Sequence, residues 1–149
     1  MNASATQRVL FVCTGNTCRS VFAEYLARDF FGTTCTFESA GIHPQCAADA
    51  KDAIYTLKKN FNIDALSHVP RDVRSLDLTA YSLIIVLEAA AKKLVLELGA
   101  SESKVKLWKI KDPYESDQGE YDKCGLDIKK KVVQLKSTHV RKLYVKGGT

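Results

Sequence analysis

The sequence predicts an α/β fold of three layers: a four-stranded parallel sheet with helices on both faces. Three observations carry that prediction. Strand and helix signals alternate along the whole length. The most apolar segment, "YSLIIVLE", reads as a parallel strand buried on both faces. No repeat, low-complexity run or linker interrupts the 149 residues, so 1–149 reads as one domain.

The elements follow in order. "RVLFV" is short, β-branched and aromatic, a buried first strand. Val21, Phe22, Tyr25, Leu26 and Phe30 recur at helical spacing, predicting a helix over 20–31. "TCTFESAG" alternates Cys35, Phe37 and Ser39 and stops at Gly41, a second strand. "ADAKDAIYTLKKNF" sets Ala50, Ala53, Ile54 and Leu57 on one helical face. After the third strand, "AAAKKLVLELG" is helical and stops at Gly99. "KVKLWKI" predicts a fourth strand, and "YDKCGLDIKKKVVQLKS" a last helix with Ile128, Val132 and Leu135 in phase.

Bulk properties narrow the function classes. Hydrophobic content of 46% and charged content of 26% are those of an ordinary globular chain. No apolar stretch reaches the length of a membrane span, and "MNASATQR" lacks a signal-peptide core, so a cytoplasmic protein is expected. The net charge of +5 suits an anionic ligand but is too small and dispersed to argue for nucleic acid, and nothing points to a membrane. Lys129, Lys130 and Lys131 read as a solvated helix face, and 140–149 as a loosely held basic tail. The five cysteines (Cys13, Cys18, Cys35, Cys46, Cys124) have no framework spacing. In a reducing compartment, any special one is reactive rather than structural.

The chemistry concentrates in "VLFVCTGNTCRSVFAEYL", residues 9–26. Cys13 leaves the first strand where a sharp turn starts, and Arg19 returns at the helix start. The carboxyl end of a strand in an open α/β sheet is where ligands bind. The five residues between, Thr14, Gly15, Asn16, Thr17 and Cys18, are small or polar. Such a segment can curl so that successive backbone N–H groups aim at one centre, an anion nest, with the positive end of the next helix behind it. Arg19 adds a planar fork matched to phosphate. Gly15 permits close backbone approach or positive φ, and Asn16 tolerates the left-handed region. A cysteine in that field is favoured as the thiolate. A zinc site on Cys13 and Cys18 lacks a further spaced pair of ligands, and the Gly-Lys-Ser/Thr of a nucleotide-hydrolysing loop is absent.

Cys-x5-Arg followed by Ser is the signature of cysteine-dependent phosphatases. "FVCTGNTCRS", "SAG" at Ser39–Gly41 and "DPY" at Asp112–Tyr114 resemble the low-molecular-weight protein-tyrosine phosphatase family across most of the chain. The resemblance implies a four-stranded parallel sheet, no metal and no organic cofactor. It implies phosphorylated protein substrates, with inorganic phosphate or a similar oxyanion held in the loop. By role, Cys13 attacks phosphorus to give a cysteinyl-phosphate. The backbone N–H groups of residues 14–19 and the Arg19 guanidinium stabilise the transferring group. Asp112, emerging after the last strand, acts as acid and then base. Pro113 stiffens its loop, and Tyr114 forms a wall of the pocket. Ser20 hydrogen-bonds the thiolate, Asn16 fixes the loop backbone, and His68 in "SHVPR" buttresses Asn16. A reversible Cys13–Cys18 disulfide that protects the nucleophile is a further implication of the resemblance.

The chain departs from the family pattern at several positions. Val21 stands where a proline commonly follows Arg-Ser. "VLEAAAKK" replaces a common Met-Asp pair and a later Asn. Residues 42–48, "IHPQCAA", lack the large aromatic that stacks on phosphotyrosine, and Thr17 replaces a branched aliphatic. The last two resemble the protein-arginine phosphatase branch, because a hydroxyl can pair with a guanidinium that an aliphatic wall would only desolvate. Phosphotyrosine is the first expectation and phosphoarginine the alternative. Arsenate reduction of the thioredoxin-coupled type would need two more cysteines after the third strand, and residues 82–99 contain none.

Overall fold

The computed structural model describes residues 7–138, with side chains to Leu135; the basic tail at 140–149 lies outside the described residues. Four strands, β1 (Gln7–Cys13), β2 (Cys35–Gly41), β3 (Leu83–Val86) and β4 (Val105–Leu107), alternate with α1 (Arg19–Phe31), α2 (Lys51–Phe61), α3 (Ala89–Glu97) and α4 (Gln118–Thr138). The sheet order is β2-β1-β3-β4, and every pairing is parallel.

The two faces of the sheet follow from the period-two alternation of a strand. Val9, Phe11 and Cys13 of β1, with Leu83, Ile85 and Leu87, face α1, α2 and α4. Leu10, Val12, Ile84 and Val86 face the opposite side, against Ala91 and Val95 of α3. Phe11 is fully buried, its ring 6.3 Å from Phe37 and 5.8 Å from Trp108. Burying a side chain of that size contributes about 1.5–3 kcal/mol. Ile128, Val132 and Leu135 of α4 are buried, while Lys129 and Lys130 are exposed.

Two elements differ from the sequence expectation. β4 stops at Leu107. Trp108 still hydrogen-bonds through its N–H to Val86, but its ring turns into the core and the chain leaves the sheet. At the end of α1, Phe30 is 39% exposed and Phe31 enters the core in its place, stacked on Phe37. Val21, without the proline's fixed φ, is fully buried, and α1 starts at Arg19 all the same.

Candidate active site

The register brings the carboxyl ends of the strands to one edge. Cys13 pairs with Gly41. The Leu87 N–H donates to the Val12 carbonyl, which carries Glu88 up beside the loop that follows Cys13. The same edge receives the segment leaving Ile110 and running into Asp112. Cys13 therefore sits where the sheet ends and α1 begins.

The backbone of residues 13–16 is held from outside. The carbonyls of Cys13, Thr14 and Gly15 accept from the N–H groups of Ile42, His43 and Gln45, at 3.0, 2.8 and 3.1 Å. His68 Nε2 lies 2.8 Å from the Asn16 carbonyl; a carbonyl only accepts, so Nε2 carries the proton. In a trans peptide the C=O and the following N–H point opposite ways, and the described residues contain no cis bond. With four carbonyls tied outward, the N–H groups of residues 14–17 are directed away from that outer shell. Asn16 has φ 56°, the left-handed value expected of it. Gly15 does not have a positive φ; a Cβ there would meet the exposed Gln45 side chain at 3.0 Å, a contact that side chain can relieve by moving. At Gly41 a Cβ would come within 2.7 Å of the Thr14 carbonyl oxygen and 2.9 Å of the Asn16 nitrogen, so only glycine lets the loop lie against β2.

Asn16 is fully buried and its amide is fully used. Nδ2 donates to Ser20 Oγ at 2.8 Å and to Ser39 Oγ at 2.9 Å, while Oδ1 accepts from the Arg71 N–H at 2.9 Å. Ser39 in turn donates to the buried carboxylate of Glu24 at 2.5 Å, and Glu24 is paired with Arg28. Because Ser20 Oγ already accepts from Asn16, its own proton is free for Cys13 Sγ, 2.9 Å away. An unbroken chain of hydrogen bonds thus runs from Glu24 to the thiol.

Arg19 is 6% exposed. Its Nη1 donates to the carbonyls of Ile110 and Leu87 at 3.3 and 3.4 Å, and its Nη2 to Glu88 Oε1 at 2.5 Å and Asp112 Oδ2 at 3.4 Å. Its Nε is buried with no partner among the described residues. Burial works against the guanidinium charge, but Cys13, Asp112 and Glu88 outweigh it and push Arg19 above its ordinary value. Thr14 Oγ1 donates to Glu88 at 2.6 Å, so one carboxylate clamps both ends of the loop. Asp112 is tethered by the Tyr114 N–H, which donates to Oδ1 at 3.1 Å. Cys13, Thr14, Gly15, Thr17, Cys18, Arg19, Gln45, Asp112 and Tyr114 line one cavity of about 60 Å³.

The structure thus gathers all the loop residues with Asp112 and Tyr114, and sets Asn16, Ser20 and His68 behind them. Sequence reasoning missed Glu88, Gln45, Glu24 and Arg71. Glu88 was visible only as a departure in "VLEAAAKK", and Gln45 only as the lack of an aromatic. Cys18 also has an unforeseen neighbour. Its thiol lies beside that of Cys124 on α4, and this neighbour first, with burial second, pushes Cys18 well above the ordinary thiol range.

Comparison with known proteins agrees with this geometry. Residues 8–145 match the low molecular weight phosphotyrosine protein phosphatase family. The low molecular weight protein-tyrosine-phosphatase Ptp of Acinetobacter johnsonii is 29% identical over 133 residues, covering 82% of this chain and 90% of the relative. Among solved structures, the low molecular weight protein tyrosine phosphatase from T. tengcongensis superposes with a TM-score of 0.78 at 27% identity, over 87% of this chain and 97% of that one. The YwlE arginine phosphatase from Geobacillus stearothermophilus shares the fold, with a TM-score of 0.80 at 22% identity, over 91% and 94% of the two chains. With its cysteine loop at the end of β1 and the match running nearly end to end, the chain belongs to the low molecular weight phosphotyrosine protein phosphatase family.

Proposed function

We propose that this protein hydrolyses phosphotyrosine in protein substrates through a cysteinyl-phosphate on Cys13. The observation that carries the reading is the buried Arg19 guanidinium, which lines the same cavity as Cys13 and whose Nε has no partner among the described residues. A buried unpaired donor is costly, and a phosphoryl oxygen satisfies it. In the first step Cys13 Sγ attacks phosphorus in line. The N–H groups of the loop and Arg19 take the equatorial oxygens, and Asp112 gives its proton to the departing oxygen. In the second step Asp112 takes a proton from water as that water attacks phosphorus, and Cys13 leaves as a thiolate steadied by the Ser20 hydroxyl. Asn16 and His68 keep the loop in its left-handed turn. Tyr114, on the cavity wall, supplies an aromatic side chain for an aryl substrate.

One observation favours a second reading, phosphoarginine. Thr17 Oγ1 lies 3.4 Å from Gln45 Oε1, and both residues line the cavity, so its wall offers a hydroxyl and an amide where an aryl group would prefer carbon. The test is kcat/KM on phosphotyrosine and phosphoarginine peptides for the wild type and Thr17→Ile. The phosphotyrosine reading expects the wild type to prefer the aryl ester and the substitution to change little. A wild type preferring phosphoarginine, with that activity falling by roughly tenfold or more in Thr17→Ile as a polar group loses its partner, would replace it with the second reading.

A further inference from the structure

Three buried free thiols share the core cluster that packs against α1. Cys13 is at the loop floor, 2.9 Å from the Ser20 hydroxyl. Cys18 is the N-cap residue of α1 and lines the same cavity. Cys124, buried on α4, lies beside the Cys18 thiol. α4 is pressed closely on α1 here: a Cβ on Gly125, the next residue, would lie 3.4 Å from the Phe22 ring. Tyr121, one turn earlier on α4, is buried in the same cluster. The resemblance drawn from sequence implied only a Cys13–Cys18 pair and gave Cys124 no role.

We propose that Cys18 and Cys124 form a reversible disulfide that takes over the oxidation of Cys13 and returns the nucleophile to its working state. The proposal rests on the reading of Cys13 as the reactive thiolate and takes a hydroperoxide as oxidant. The Cys13 thiolate attacks one peroxide oxygen, the O–O bond breaks, and a sulfenic acid forms as hydroxide leaves; sulfur loses two electrons and peroxide gains them. The Cys18 sulfur then attacks Cys13. An S–S bond forms, the S–O bond breaks, and the hydroxyl departs as water with the Cys18 proton. Finally Cys124 attacks Cys18, the Cys18–Cys124 bond forms, and the Cys13–Cys18 bond breaks. Cys13 leaves as thiolate, and the Cys124 proton neutralises the first hydroxide. In sum, one peroxide and two thiols give one disulfide and two waters.

The direction of the last exchange follows from the surroundings. A disulfide expels the sulfur that its site best supports as a thiolate. Cys13 has the Ser20 hydroxyl, the loop N–H groups and Arg19 around it. Cys18, by contrast, is held as a neutral thiol by the neighbouring Cys124 and by burial. The oxidation therefore moves off Cys13 and ends as a disulfide between α1 and α4, short of the sulfinic stage.

The experiment titrates the full chain with hydrogen peroxide, caps free thiols, maps disulfides by mass spectrometry and measures p-nitrophenyl phosphate turnover in parallel. It does so for the wild type, Cys124→Ala and Cys124→Ser. The wild type is expected to collect Cys18–Cys124 with Cys13 free and most of its activity kept. Both variants, as active as the wild type before oxidation, should collect Cys13–Cys18 and lose roughly tenfold or more of their activity until a dithiol restores it. A wild type that collects Cys13–Cys18 with Cys124 free, or that reaches sulfonic acid on Cys13 as fast as Cys124→Ala does, would overturn the proposal. Unoxidised Cys13→Ser separates this from the underlying reading, since activity in that variant would remove the nucleophile itself.

Discussion

Asp112 is held by two contacts of different kinds. The Tyr114 N–H fixes Oδ1, and the Arg19 guanidinium stands 3.4 Å from Oδ2. Its side chain is 46% exposed, so a leaving group entering the cavity can reach it. Asp112→Asn keeps the shape but removes the proton. Turnover of an alkyl or unactivated aryl phosphate should fall by about 10²–10⁴-fold, the usual range for general acid catalysis. The loss should be much smaller for p-nitrophenyl phosphate, whose leaving group departs without help, and phosphate-analogue binding should hold. Equal losses on both substrates would remove Asp112 from the acid role. That Cys13, Arg19 and Asp112 meet at one cavity was legible in sequence: Cys-x5-Arg is one contiguous loop, and the family resemblance pointed to the Asp-Pro segment after the last strand, on the same sheet edge. Glu88 was not, because its partners Thr14 and Arg19 lie 74 and 69 residues away and meet it only through the β1–β3 register. Gln45 and Cys124 escaped for the same reason.

At the scale of elements, one carboxylate ties the sheet to the loop before β3. Glu38 on β2 accepts from Tyr81 Oη at 2.7 Å, Arg8 Nε at 3.0 Å and Arg71 Nη2 at 3.1 Å. Arg71 also gives its N–H to Asn16, so this cluster reaches the active loop. Burial would raise the Glu38 carboxyl, but hydrogen bonds from Tyr81, Arg71 and Arg8 outweigh it and hold it below its ordinary value. Burial and the bond to Glu38 push Tyr81 up to about 12. A carboxyl lowered on folding contributes stability that is present above its unfolded value of about 4.3 and is lost as pH falls through the folded one. Denaturant unfolding between neutral and strongly acid pH should therefore show a steeper acid decline for the wild type than for Glu38→Gln. Parallel declines would mean that Glu38 carries no net linkage. The strands and helices themselves were readable because apolar residues repeat at two or at 3.6. Their ends were not. Whether Phe30 or Phe31 turns inward, and where Trp108 leaves the sheet, depends on the rings of Phe37 and Phe11, which distant parts of the chain supply.

For the whole molecule, the parallel sheet sets the chemistry by direction alone. Every strand points the same way, so Cys13, Gly41, Glu88 and the segment leading to Asp112 arrive at one edge, and α1 starts there with its positive end toward them. Two apolar layers back that edge on its two faces, the support that the proposed phosphoryl-binding loop needs. The central claim is that this edge transfers a phosphoryl group onto Cys13. Its most direct measurement is rapid acid quench of p-nitrophenyl phosphate turnover by Asp112→Ala, followed by peptide mass mapping. This variant forms the intermediate with a leaving group that needs no acid, but lacks the base that would break it down. The expected result is one phosphoryl group on the peptide carrying Cys13, accumulating within the first turnover and absent from Cys13→Ser. A burst of p-nitrophenol with no phosphorylated Cys13, or label on any other residue, would contradict it.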